Sequence, residues 1–211
     1  MKNDKETDLI NNGNMLPLAG DFYSIQGEGY HAGKPAFFIR IAGCDIGCEW
    51  CDEKEAWDPS SYPLINISEI IKRAIKYPAK AIVVTGGEPL LYDLKPLCDG
   101  LKAFKISTYL ETSGTRPLTG RWDWICLSPK KEKPPLKEIS RKADELKVVI
   151  CEESDLGWAE ESEMKVGNTC RLYLQPEWSR QKDILPVIID YVKSNPVWSI
   201  SLQVHKYMNI L

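Results

Sequence analysis

Short apolar runs, each about the length of a β-strand, recur along the chain: "AFFIRIA" (36–42), "AIVVT" (81–85), "ISTYLET" (106–112), "WDWICLS" (122–128), "ELKVVI" (145–150), "RLYLQ" (171–175) and "WSISLQ" (198–203). Runs this continuous, and this rich in Val and Ile, suit strands covered on both faces. Between several of them the spacing changes to that of a helix. "NISEIIKRAIKY" (66–77) sets Ile67, Ile70, Ile71, Ala74 and Ile75 on one side, and Asn66 or Ser68 is placed to cap its start. "LKPLCDGLKAF" (94–104) and "KDILPVIIDYVKS" (182–194) repeat the pattern, with Pro186 required to fall in the first turn of the latter or to kink it. Alternating strands and helices predict an α/β fold: a parallel sheet with right-handed crossovers, open or curled into a barrel.

Composition narrows this little. Apolar residues make up 43% and charged residues 27% of 211, as in ordinary globular domains. The length suits one domain, and no repeat or linker marks a second. The polar start "MKNDKETDLINNGN" lacks the apolar centre of a secretion signal. Residues 1–15 are therefore expected to be a flexible tail before a single domain over 16–211, in a cytoplasmic chain. No run reaches membrane-spanning length, and a net charge of -3 gives no field that favours nucleic acid or an anionic membrane. The stretch "KKEKPPLKEISRK" (130–142) interleaves glutamates and lacks aromatics, so it reads as a solvated, proline-broken loop.

The informative loops all follow strands. "IAGCDIGCEWCDEKEAW" (41–57) follows the first run, "TGGEP" the second, "ETSGT" the third and "SPKK" the fourth. Ligand sites of parallel α/β folds gather at the carboxyl ends of strands, so these loops point to one shared site. Seven cysteines is an odd number, and clustered thiols in a reducing compartment bind metal or do redox work more often than they pair. Cys44, Cys48 and Cys51 lie within eight residues. The other four (Cys98, Cys126, Cys151 and Cys170) are isolated, and Cys98, Cys126 and Cys170 read as small buried apolar residues. A structural zinc site would need a second ligand pair, and His31 and His205 lack ligand-like spacing, so zinc stands second. An iron–sulfur cluster held by three thiolates would leave one iron open to a small molecule.

The C-x3-C-x2-C spacing, with "TGGEP" after a later strand, resembles the radical S-adenosylmethionine (SAM) superfamily. The likeness extends to "DFYSIQGEGYHAGKPAFFIRIAGCDIGCEWCD" (21–52), "VVTGGEPLLYDLKPL" (83–97), "ETSGT" (111–115), "SPK" (128–130), "LQP" (174–176) and "LQVHKYMNI" (202–210). Together these are similar to the 7-carboxy-7-deazaguanine synthase family. The resemblance implies a partial (βα)6-type TIM-like barrel of about six parallel strands with reduced helices. It implies a 4Fe–4S cluster on Cys44, Cys48 and Cys51, with SAM chelated at the open iron and cleaved to a 5′-deoxyadenosyl radical. The radical would take hydrogen from C6 of 6-carboxy-5,6,7,8-tetrahydropterin, whose ring then contracts with loss of ammonia.

Residue by residue, the likeness assigns Ile25, Gln26, Gly27, Glu28, Arg40 and Thr85 to the pterin. Glu28 is acceptor-only when ionised, and Arg40 suits a carboxylate, being a lone arginine in "AFFIRIAG". Gly87, Ser128, Pro129, Lys130 and Gln175 match SAM positions, and Glu111, Thr112 and Ser113 offer oxygens to a ribose. The family's Mg2+ is commonly held by a threonine two residues after the last cysteine, where this chain has Glu53; a carboxylate is a good ligand for such an ion. A flavodoxin-like electron donor and a homodimer are further implications. Two rivals remain open here: another radical SAM enzyme, such as a glycyl-radical activase, and a zinc-binding interaction module.

Overall fold

The computed structural model describes residues 4–210. Helix α1 (Asp4–Asn11) precedes strands β1 (Met15–Ile25) and β2 (Pro35–Ile41). They are followed by β3 (Leu64–Asn66), α2 (Ile67–Ala74), β4 (Ala81–Gly86), α3 (Lys95–Lys102), β5 (Ser107–Thr112) and β6 (Trp124–Leu127). Then come α4 (Lys137–Lys142), β7 (Glu145–Ile150), α5 (Asp155–Glu163), β8 (Arg171–Pro176), α6 (Gln181–Ser194), β9 (Trp198–Ile200) and α7 (Val204–Met208). All the strands join one sheet in the order β3-β1-β2-β4-β5-β6-β7-β8-β9. From β2 through β9 each neighbouring pair is parallel, and every apolar run picked out in the sequence is one of these strands. The expected six-strand partial barrel is β2 and β4 to β8, with short β9 as a seventh strand on one edge.

The antiparallel additions were not expected. β1 pairs with β2 and β3 pairs with β1, both antiparallel. Pro17, Gly20 and Asp21 interrupt the apolar pattern of β1, and its register slips between Leu18 and Gly20, which hides the strand from a period-2 reading. Two further helices also differ from expectation. α1 lies in the segment expected as a tail, its end closed by the Asn12, Gly13 and Asn14 amides on the Asp8, Ile10 and Leu9 carbonyls, each at 3.0 Å. α4 lies in the stretch read as a solvated loop and buries Ile139 and Ser140. In α2 the cap is Asn66, whose side chain accepts from the Ser68 amide at 2.9 Å. Pro186 sits one turn inside α6 rather than in its first turn, at the sixth position, where it removes one helical amide.

Side chains alternate across each strand, and here the two faces differ in chemistry. Ile39 and Ile41, Ile82 and Val84, Leu146, Val148 and Ile150 point to the helices and form the main core with Ile70, Leu97, Leu101, Ile139 and Ile188. The opposite face carries Arg40, Thr85, Glu111, Glu145, Lys147, Val149 and Gln175 in the alternate positions. A small apolar patch of Ala36, Phe38 and Val83 lies at the amino-terminal half of that face. The carboxyl half is polar, and that is where the residues singled out in the sequence gather.

Candidate active site

A cavity of about 430 Å³ opens at the carboxyl ends of the parallel strands. Every residue assigned above to pterin, SAM or metal lines it except Pro129, which is buried. Register explains part of this gathering, since Arg40 on β2 lies beside Thr85 on β4, and Val149 on β7 beside Gln175 on β8.

The three thiols sit on the loop after β2. The Gly43 amide donates to the Ala56 carbonyl at 2.7 Å and the Cys44 amide to the Trp57 carbonyl at 3.2 Å, which closes the loop at its base. The Ile46 and Gly47 amides donate to the Cys44 sulfur, and the Glu53 amide donates to Cys51 Sγ at 3.4 Å. On the outside, Asp45 takes ion pairs from Arg116 and Lys133. Burial pushes the Cys44 thiol up, and the Cys48 thiol up to about 11, so binding a metal must displace protons there. Among the described residues, no three His, Cys, Asp or Glu side chains converge as ligands of one ion. A structural zinc site takes four protein ligands, and this loop offers three thiols, the number that would leave one iron of a cluster open.

"TGGEP" lies directly against this loop. The Gly87 amide donates to the Ile41 carbonyl at 2.9 Å and the Glu88 amide to the Gly43 carbonyl at 2.8 Å. A Cβ on Gly87 would come within 2.1 Å of the Gly43 oxygen and 2.9 Å of the Cys44 Cβ, so no larger residue fits. Glu88 is fully buried, and its side chain ties its own loop to the end of β5: it accepts from Thr112 Oγ1 at 2.6 Å, from the Ser113 and Leu90 amides at 2.9 and 3.0 Å, and from the Ser113 hydroxyl. The hydroxyls of Thr112 and Ser113, expected to face a ribose, thus donate to Glu88. Lys130 donates to the Ser128 carbonyl and hydroxyl at 2.8 and 2.7 Å and lies 5.1 Å above the Trp50 ring. Burial pulls its ammonium below the usual lysine range.

The pterin-assigned residues form two connected groups. Glu111 accepts from Gln26 Nε2 at 2.9 Å and from Thr85 Oγ1 at 3.1 Å, so each of its oxygens holds one of those side chains. Glu28 pairs with Lys147 and accepts from Gln203 Nε2 at 2.8 Å. Arg40 is not free: its guanidinium meets Glu53 at 2.7 Å. Gln175 accepts from the Ser201 hydroxyl at 2.8 Å, which joins it to the framework. Gly27 has a packing reason to be glycine, because a Cβ there would lie 2.1 Å from His205 Nδ1 on α7. The Val204 amide donates to the Gly27 carbonyl at 2.9 Å and fixes that closeness.

Several lining residues were missed. Lys147 lies inside "ELKVVI", where a lone cation in an apolar strand was the same signal that singled out Arg40. Gln203, Lys206 and Trp178 come from the carboxyl-terminal elements and line the cavity with His205. Gln203 and Lys206 hold Asp52 between them, each at 3.1 Å. His31, weighed as a zinc ligand, instead stacks on Tyr109 at 4.3 Å, outside the main cavity.

Residues 38–127 match the pattern of the Radical SAM superfamily. The chain is 52% identical to a 7-carboxy-7-deazaguanine synthase of Flavobacterium psychrophilum over 95% of each chain. It is 45% identical to one from Synechocystis sp. over 92% of this chain and 93% of the relative. The crystal structure of QueE from Escherichia coli superposes with a TM-score of 0.81 at 29% identity, covering 92% of this chain and 97% of that one. The superfamily implies a 4Fe–4S cluster and SAM, and three thiols on a loop packed against a glycine cradle suit both. With this cavity and these relatives, the chain belongs to the 7-carboxy-7-deazaguanine synthase family of radical SAM enzymes.

Proposed function

We propose that the chain is a ring-contracting lyase that converts 6-carboxy-5,6,7,8-tetrahydropterin to 7-carboxy-7-deazaguanine with loss of ammonia, in 7-deazapurine (queuosine) biosynthesis. The observation that carries it is the shared cavity, which three thiols line together with Arg40, Gln26, Glu28 and Thr85. Cys44, Cys48 and Cys51 would hold the 4Fe–4S cluster and leave one iron for SAM. When bound, the cluster and SAM supply the one-electron chemistry that removes hydrogen from the substrate. Gly87, Ser128, Lys130 and Gln175 line the SAM side, and buried Pro129 stiffens the loop between Ser128 and Lys130.

The residues on the pterin side account for recognition. Glu28 and Glu111 are acceptors suited to the N–H edge of an aminopyrimidinone, and Gln26 and Thr85 hold Glu111 in place. Arg40 forks onto the substrate carboxylate, a charge-assisted contact worth about 1.5–3 kcal/mol. It pairs here with Glu53, the residue that would hold Mg2+, a hard cation that would supply positive charge to the site. Turnover that ignores both EDTA and added Mg2+ rules that metal role out. The remaining partners are a flavodoxin-like electron donor and a second copy of the chain in a homodimer, in the cytoplasm.

The test is direct. The protein is purified without oxygen, its cluster reconstituted, and reductant, SAM, Mg2+ and the tetrahydropterin added. Mass spectrometry is expected to find both 5′-deoxyadenosine and a carboxylated deazaguanine. Deoxyadenosine alone would keep the radical SAM chemistry and overturn the substrate, as expected of an activase.

A further inference from the structure

We infer that Lys147 is a positioning residue: the buried cation that keeps Glu28 in the acceptor-only form that the substrate's ring edge requires. This rests on the pterin reading above. Lys147 lies on the face of β7 opposite the main core, is 5% exposed, and pairs with Glu28 in the cavity lining. The side chain of Glu28 is itself only 14% exposed.

The chemistry turns on one proton. An aminopyrimidinone presents neighbouring N–H donors, which a carboxylate can accept together. A protonated carboxyl offers a donor of its own, and that proton would face the ring's donors. Burial pushes Glu28 toward the protonated form, and Lys147 with Gln203 overcomes it, leaving the carboxyl below its usual range. The other groups around Glu28 do not replace Lys147. Asp52 opposes ionisation of Glu28. His205 on α7, held below the usual histidine range by burial, is uncharged near neutral pH. Cys126 on β6 is a buried thiol pushed upward, while Glu111 on β5 and Glu145 on β7 add negative charge that Lys147 also balances. Lys147 is the one buried cation among these groups.

A purely structural pair predicts something different. Such a pair is needed for packing and is indifferent to the pH at which ligand is added. The test uses calorimetric titration of the reconstituted enzyme with 6-carboxy-5,6,7,8-tetrahydropterin, without oxygen and with SAM omitted so that nothing turns over. Wild type, K147Q, K147R, K147M and E28Q are compared. The wild-type affinity is expected to stay flat between about pH 6 and pH 9, because Glu28 is ionised throughout. K147Q keeps a hydrogen bond to Glu28 but no charge, so its affinity falls about tenfold or more at neutral pH and recovers as pH rises and Glu28 ionises. K147R restores the affinity at every pH. K147M follows K147Q, and thermal melting shows that each variant is folded.

Two results overturn the inference: K147Q that binds like wild type throughout, or K147Q that is equally weak at every pH while folded. E28Q separates this from the underlying reading. It is expected to bind weakly at all pH values, and wild-type binding by E28Q would overturn the contact between Glu28 and substrate instead.

Discussion

Gly87 lies where the glycine motif meets the cysteine loop, and its missing side chain is the reason the two can touch. A methyl group there would need to enter the 2.1 Å gap to the Gly43 oxygen, which is backbone and cannot swing aside. Gly87→Ala is therefore expected to displace the loop, lowering the iron bound per chain and reducing deoxyadenosine formation by at least about tenfold, a barrier change near 1.4 kcal/mol. Wild-type iron content and turnover in that variant would contradict the packing account. That these residues come together was legible in the sequence, because cysteines, paired glycines and a lone arginine are rare patterns at strand ends. What those residues touch was less legible. Arg40 meets Glu53, and the Thr112 and Ser113 hydroxyls meet Glu88, contacts between residues well separated in sequence that no local spacing reports.

The apolar runs announced the parallel strands because both their faces are covered for much of their length. β1 escaped notice since Pro17, Gly20 and Asp21 break its pattern and one face follows a bulge. α5 escaped as well, its glutamate-rich sequence having no apolar stripe to set against its neighbours. Its start nevertheless makes a sharp prediction. Asp155 accepts from the Cys151 and Glu152 amides at 2.7 and 3.0 Å and pairs with Lys131. These contacts hold its carboxyl below the usual range despite burial. A carboxyl with a lowered folded pKa adds stability above its unfolded pKa and loses it as pH falls through the folded value. Asp155→Asn is expected to cost about 1–2 kcal/mol at neutral pH and to flatten part of the acid limb of thermal melting. Asn66→Ala, which removes the α2 cap, should cost about 1 kcal/mol at neutral pH and leave the acid limb unchanged.

At the scale of the whole molecule, the fold and the metal site are separate. The main core lies between the sheet and its helices, on the face away from the cavity, and the cysteine loop contributes none of its residues. The loop is closed by the Gly43–Ala56 and Cys44–Trp57 backbone bonds and by the Asp45 pairs with Arg116 and Lys133, contacts that use no cysteine sulfur. With iron removed, burial keeps Cys48 a neutral thiol, so that sulfur is not left as a buried anion. Stripping the iron under reducing conditions is thus expected to abolish turnover while leaving far-UV circular dichroism unchanged and lowering the melting temperature by no more than about 10 °C. A zinc-organised module behaves in the opposite way, since its metal-binding energy is its folding energy and chelation unfolds it. Cooperative unfolding on iron removal would mean that the loop, and not the sheet, organises this chain. Retained structure with lost chemistry would place the metal where the sheet delivers it, at the end of a scaffold that stands without it.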